Sequence, residues 1–208
     1  MNNTDSIIFD MDGTLWDAVD SYCAIWDKTL LQFNNSRQIT REELLKCMGK
    51  PIREIFNTLN IGISDIDLFL EILDKNENSM MPILGGKLYE GVTENIKILA
   101  EHYQLFMISN CGAEGLNNFL KFTNLKQYFI ETVTYGQTNK DKHENIKFLV
   151  SKHNLKSPIY VGDTQSDCNN AHKAGIKMVY ASYGFGKCVD AEYTIDKFSE
   201  LTELLIHN

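Results

Sequence analysis

Ile7-Ile8-Phe9-Asp10-Met11-Asp12-Gly13-Thr14-Leu15-Trp16-Asp17 is the stretch that decides how this 208-residue chain is read. Three apolar residues, Ile7 to Phe9, run directly into two aspartates at i and i+2. A short unbroken apolar run fits a strand buried on both faces, as in a parallel sheet. The carboxylates then stand at its C-terminal end, where open α/β sheets place their ligands. Gly13 has no Cβ and suits the tight turn that follows. Thr14 adds a hydroxyl where the chain leaves the sheet. Two neighbouring carboxylates repel, and partial burial sharpens the cost. A divalent cation offsets it, and oxygen ligands suit Mg²⁺.

Past Asp17 the pattern turns helical. Val19, Tyr22, Cys23, Trp26, Leu30 and Phe33 share one face of a helix over 17–33, and Trp26 and Phe33 read as core. Thr40 with Glu43 forms a capping box ahead of Leu44, Leu45 and Met48. Gly49 ends that helix and Pro51 opens the next, with Ile52, Ile55, Phe56 and Leu59 at helical spacing. Ser64 is the expected cap of a further helix through Ile66, Phe69, Leu70 and Leu73. No strand is expected between Asp17 and Met81, and Pro82 with Gly85-Gly86 punctuates the end of the block. A helical insertion over 17–85 thus interrupts a body made of 1–16 and 86–208, with hinges near 15–19 and 81–89.

Strand–helix alternation then returns. Helix 92–102, with Thr93 as its candidate cap, precedes a buried strand 105–108 that stops at Ser109-Asn110. Helix 113–122, strand 131–135 and helix 144–153 follow. Strand 159–161 stops at Gly162-Asp163, then come helix 166–174, strand 177–181 and a terminal helix 201–206. The expected fold class is α/β, a Rossmann-like, mostly parallel sheet with helices on both faces and an inserted α-helical domain.

Composition narrows the function. At 43% hydrophobic and 23% charged, the chain reads as an ordinary globular protein. A net charge of −8 without a basic run argues against nucleic acid as a partner. Small anionic substrates stay open, because a metal and a few cations reverse the local field. No apolar run reaches the ~20 residues that cross a bilayer, so no membrane partner is expected. Cys23, Cys47, Cys111, Cys168 and Cys188 lack Cys-x-x-Cys spacing and read as reduced structural thiols of a cytoplasmic protein. The five histidines show no ligand spacing. Cys111 has no nameable activating base, and Gly184-Phe185-Gly186 reads as a plain turn.

Three further groups sit at strand ends. Ser109-Asn110 turns a hydroxyl and an amide toward the same crevice as Asp10 and Asp12. Asp163 and Asp167, in Gly162-Asp163-Thr164-Gln165-Ser166-Asp167, are i and i+4, so a helical turn puts both on one face. Lys140 and Lys142 supply cations between these two strands.

The string Asp10-Met11-Asp12-Gly13-Thr14-Leu15 resembles the opening Asp-x-Asp-Gly-Thr-Leu motif of the haloacid dehalogenase-like hydrolase superfamily. The Ser109 strand end, the lysine segment and Gly162–Asp167 resemble its later motifs in the same order, and the helical insertion resembles its cap in position. The nearest branch is that of phosphoglycolate phosphatases and β-phosphoglucomutases. The resemblance implies Asp10 as nucleophile and Asp12 as general acid/base. Ser109 would bind the transferring phosphoryl group with Asn110 beside it. A lysine would neutralise that group, with Lys142 favoured over Lys140 because it lies directly before a helix. Mg²⁺ would be held by Asp10, the Asp12 backbone carbonyl and Asp163, with Asp167 orienting that shell. The implied activity is a Mg²⁺-dependent phosphatase of small phosphorylated metabolites, working through an aspartyl-phosphate, as a monomer or homodimer. Phosphoglycolate-type esters are the substrates that analogy suggests. Asp12 weighs against a dehalogenase, whose leaving group needs no proton. A sugar-phosphate mutase, a phosphonatase using Lys28, Lys46 or Lys50, and a non-catalytic binding protein are the alternatives.

Overall fold

The computed structural model describes residues 3–206. Strand β1 (Ser6–Phe9) leads into a two-residue strand β2 (Trp16–Asp17). Four helices follow: α1 (Val19–Gln32), α2 (Arg41–Leu45), α3 (Ile52–Leu59) and α4 (Ile66–Leu84). After β3 (Lys87–Leu88) come α5 (Val92–His102), β4 (Gln104–Ser109), α6 (Gly115–Thr123) and β5 (Glu131–Thr134). The chain ends with α7 (Tyr135–Thr138), α8 (Lys142–Lys152), β6 (Pro158–Gly162), α9 (Gln165–Ala174), β7 (Lys177–Ala181), β8 (Tyr193–Ile195) and α10 (Ser199–Ile206).

Six strands make one sheet in the order β5-β4-β1-β6-β7-β8, and each neighbouring pair is parallel. β1 lies between β4 and β6, with Ile8 in register with both Phe106 and Tyr160. The strands are buried on both faces, which is why they read as continuous apolar runs. Alternate residues serve two cores. Ile7, Phe9, Leu105, Met107, Ile159 and Val161 join one, with residues of α5, α6 and α10. Ile8, Phe106, Ile108 and Tyr160 join the other, against Ile146 and Leu149 of α8 and Cys168 and Ala171 of α9. This two-faced cover is the expected Rossmann-like α/β architecture.

The helices between β2 and β3 share an aromatic centre. Phe69 of α4 is fully buried, with its ring 5.5 Å from Trp26, 5.4 Å from Phe33 and 5.0 Å from Phe56. Where the chain enters and leaves this block, β2 and β3 pair antiparallel, Trp16 with Leu88 and Asp17 with Lys87. A Cβ at Gly86 would lie 2.6 Å from the Trp16 indole and 2.9 Å from the Asp17 carbonyl, so only glycine permits this close pairing.

Several local expectations shift. Asp65, not Ser64, caps α4, its carboxylate accepting from the Leu68 amide at 3.0 Å. Gly91, in a left-handed conformation, precedes α5 in place of Thr93. Pro82 lies inside α4, whose end is set by Gly85. α2 stops at Leu45, and 46–49 continue as turns toward Gly49. Asp17 belongs to β2, so the first helix starts at Val19. Tyr135 opens α7 because Thr134 and Gln137 form a capping box there. α8 starts two residues early, at Lys142, through a capping box of Asp141 with Glu144.

Truncating the ring at the centre of the helical block tests how much it carries. Phe69→Ala is expected to cost about 3–5 kcal/mol through lost burial and the cavity left behind. Urea unfolding followed by circular dichroism measures it.

Candidate active site

The C-terminal ends of β1 and β4 open into one pocket whose wall includes Asp10, Asp12, Ser109 and Lys142. This is the crevice that a parallel sheet provides where its crossovers diverge on either side of a central strand. Asp10 continues β1, its amide donating to the Val161 carbonyl at 2.9 Å. Met11 then closes a tight loop, accepting from the Leu15 amide at 2.9 Å. Gly13 turns the chain at φ +84°, and a Cβ there would lie 2.3 Å from the Asp163 carboxylate. Any side chain at this position would strain the turn and displace Asp163.

Lys142 is the buried cation of the site. Its Nζ donates to Asp10 Oδ1 at 2.8 Å and to Asp167 Oδ1 at 2.6 Å, with both carboxylates buried beside it. Burial alone would lower its pKa, but Asp10 and Asp167 hold it well above the ordinary lysine value. Lys140 is exposed and lies outside the pocket.

Asp10, Asp163 and Asp167 have carboxylate oxygens within 4.8 Å of one another, all buried. Asp163 accepts from the Phe185 amide at 2.8 Å and the Thr14 hydroxyl at 3.4 Å. Asp167 caps the start of α9, accepting from the Thr164 amide at 3.1 Å and the Thr164 hydroxyl at 2.6 Å. Three clustered carboxylates thus have one ammonium, which contacts two of them. Burial, and then the charges of Asp167 and Asp10, push Asp163 well above its ordinary pKa. An all-oxygen donor set with surplus negative charge fits a hard divalent cation.

Asp12 stands apart from this cluster. Its Oδ1 accepts from Trp16 Nε1 at 3.0 Å and from the Tyr22 hydroxyl at 3.3 Å. Burial, then the charge of Asp10, pushes its pKa up to about 8. Burial also raises Asp10, but Lys142 restrains it to about 6. The two carboxyl groups two residues apart therefore differ in proton occupancy at neutral pH.

Ser109 is buried, and its Oγ accepts from the Cys111 amide at 3.2 Å. Asn110 lines the pocket, but its amide nitrogen donates to the Gly49 carbonyl at 2.7 Å, tying the β4 end to the helical block. Cys111 also lines it, and burial pushes its thiol far above the ordinary range, so it holds no thiolate. Gly184-Phe185-Gly186, which reads as a plain turn, supplies the amide on Asp163. Away from the pocket, folding gathers Cys168, Cys188 and Asp190 within 4.8 Å, although no sequence spacing pairs the cysteines.

Sequence reasoning missed Tyr22 and Glu77, which line the pocket together with Trp26, Leu44, Ile52 and Ile55. Tyr22 lies on the apolar face of α1 and reads as core. Glu77 carries no local signal in an amphipathic helix. Burial, then the neighbouring charge of Asp74, pushes its carboxyl up to about 7.

Residues 7–181 match the family described as haloacid dehalogenase-like hydrolase. The chain belongs to that family. A pyrophosphatase PpaX from Listeria welshimeri is 27% identical over 168 residues, covering 78% of this chain and 76% of that one. A phosphoglycolate phosphatase from Aquifex aeolicus is 24% identical, covering 96% and 95%. A haloacid dehalogenase-like hydrolase of Streptococcus pneumoniae shares the fold with a TM-score of 0.86 at 20% identity, over 98% and 99% of the two chains. The hydrolase family and its α/β fold are therefore those that the opening motif implies. Among the described residues, no helix is long and apolar enough to cross a membrane.

Two predictions follow from the charges. Lys142→Ala leaves two buried carboxylates unpaired and is expected to cost about 3–5 kcal/mol in metal-free buffer. Lys140→Ala leaves stability unchanged, and denaturant unfolding of both variants separates the two lysines. Glu77 faces Asp12, Tyr22 and Cys111 as well as Asp74. Its folded pKa of about 7 exceeds the ordinary 4.5, so the folded state binds more protons between these values and loses stability as pH rises through them. Glu77→Gln is therefore expected to raise Tm at pH 8 and to lose that gain near pH 4.

Proposed function

We propose that the chain is a Mg²⁺-dependent phosphatase that hydrolyses small phosphomonoesters through an aspartyl-phosphate. The observation that carries this reading is the split between two pocket carboxyls: Asp10 paired with Lys142, and Asp12 pushed to about 8 without a cation of its own. Nucleophile and acid are needed in those two states at one pH.

The steps follow from the groups present. Lys142 holds Asp10 Oδ1, leaving the other oxygen for attack on phosphorus. As the Asp10–phosphorus bond forms and the ester P–O bond breaks, Asp12 passes its proton to the leaving oxygen. The Asp12 carboxylate then takes a proton from the water that attacks the aspartyl-phosphate, which releases inorganic phosphate and restores Asp10. Lys142 and the Ser109 hydroxyl stabilise the transferring oxygens, and Asn110 fixes the wall beside them.

The surplus charge of Asp10, Asp163 and Asp167 fits Mg²⁺. Asp10, the Asp12 backbone carbonyl and Asp163 would hold it, with Asp167 steadying that shell. When bound, Mg²⁺ screens the phosphoryl oxygens from Asp10. Relatives named phosphoglycolate phosphatase and pyrophosphatase support phosphoryl chemistry. On this reading residues 17–85 act as a cap over the sheet domain of 1–16 and 86–208, in a cytoplasmic monomer or homodimer. A phosphonatase finds less support: of its candidate lysines Lys50 lines the pocket, but its ammonium pairs with Glu54 at 3.2 Å.

Inorganic phosphate release from a panel of phosphomonoesters, with Mg²⁺ and with EDTA, tests the reading. Release is expected only with metal. Asp12→Asn is expected to lower turnover about 10²–10⁴-fold while circular dichroism stays native, and Asp10→Asn to abolish it. Retained turnover in either variant would refute the assignment.

A further inference from the structure

Glu77 is a pocket carboxyl that the mechanism above does not use. It is raised by burial and by Asp74, and no hydrogen bond or cation among the described residues offsets this. Its Oε1 lies 3.7 Å from the point that a Cβ at Gly115 would take, so it reaches from α4 across to the start of α6. The cations that line the pocket are already committed, Lys142 to Asp10 and Asp167 and Lys50 to Glu54. Glu77 lies near Tyr22, and Trp26 and Ile55 add aromatic and apolar wall to the same pocket. A carboxylate without a partner among such walls is a site for a positive charge, and aromatic faces add to its attraction.

Resting on the phosphatase reading, we propose that Glu77 binds an ammonium group on the leaving alcohol. The substrates are then short zwitterionic phosphomonoesters of the aminoalkyl phosphate class. The phosphoryl group sits at Asp10, Ser109 and Lys142, and the amine pairs with Glu77 between Tyr22 and Trp26. A leaving group carrying a carboxylate meets the charge of Glu77 instead, so the same residue selects by repulsion. This sets the pocket against the phosphoglycolate-type esters that analogy suggests. The bonds made and broken are those already described.

The test compares aminoethyl phosphate, hydroxyethyl phosphate and phosphoglycolate as substrates for the wild-type enzyme, Glu77→Gln and Glu77→Asp. Calorimetric binding of aminoethylphosphonate, whose P–C bond this chemistry does not hydrolyse, is measured alongside. The aminoethyl ester is expected to have a kcat/KM about tenfold or more above the others. Glu77→Gln is expected to remove that preference through KM and to improve phosphoglycolate, while Glu77→Asp keeps part of it. Equal use of the three esters, a preference for phosphoglycolate, or a Glu77→Gln effect equal on all three overturns the proposal and leaves the phosphatase intact. If no ester releases phosphate, the phosphatase reading fails, and calorimetry decides Glu77 alone. Weaker phosphonate binding in Glu77→Gln then supports the ammonium site, and unchanged binding overturns it.

Discussion

The buried ammonium of Lys142, shared by Asp10 and Asp167, is the interaction on which the site depends. It joins three chain segments far apart in sequence: the end of β1, the start of α8 and the start of α9. Asp10, Asp163 and Asp167 stand within 4.8 Å of one another, and mutual repulsion would push them apart without a cation between them. One cation does not balance three carboxylates, which keeps the cluster receptive to a second positive charge. It also makes Asp10 differ from Asp12. Asp10 is buried and Asp12 half-buried, but only Asp10 has a cation in contact, and their pKa values separate accordingly.

Much of this architecture is legible in the sequence. Apolar runs ending in Asp10, Ser109 and Asp163 mark strands that are buried on both faces and stop where side chains with chemistry begin. Periodicity identifies the helical block because its inward positions, such as Phe56 and Phe69, repeat at helical spacing. The family resemblance favours Lys142 over Lys140 as the residue directly before a helix, and Asp141 draws that helix start forward to Lys142 itself.

What is not legible depends on contacts between distant segments. β2 and β3 are two residues each, too short for any pattern, and exist because Gly86 lets the backbones meet. β8 is an edge strand of three residues whose pairing comes from β7 alone. Tyr22 and Trp26 satisfy a core pattern and a pocket wall equally, because the wall of a closed pocket is itself apolar. The Phe185 amide acquires its role only when the loop after β7 folds onto Asp163.

The β2–β3 pair has a mechanical meaning. Both covalent links between the helical block and the sheet run side by side there, joined by backbone pairing into a neck. Trp16 stands in that neck, and its indole holds Asp12. The residue that pairs β2 with β3 is therefore also a hydrogen-bond donor to the pocket. The Asn110 amide, donating to the Gly49 carbonyl, is a second tie between the sheet and the helical block. The pocket is thus moored to the helical block at two places, one past the end of β1 and one past the end of β4.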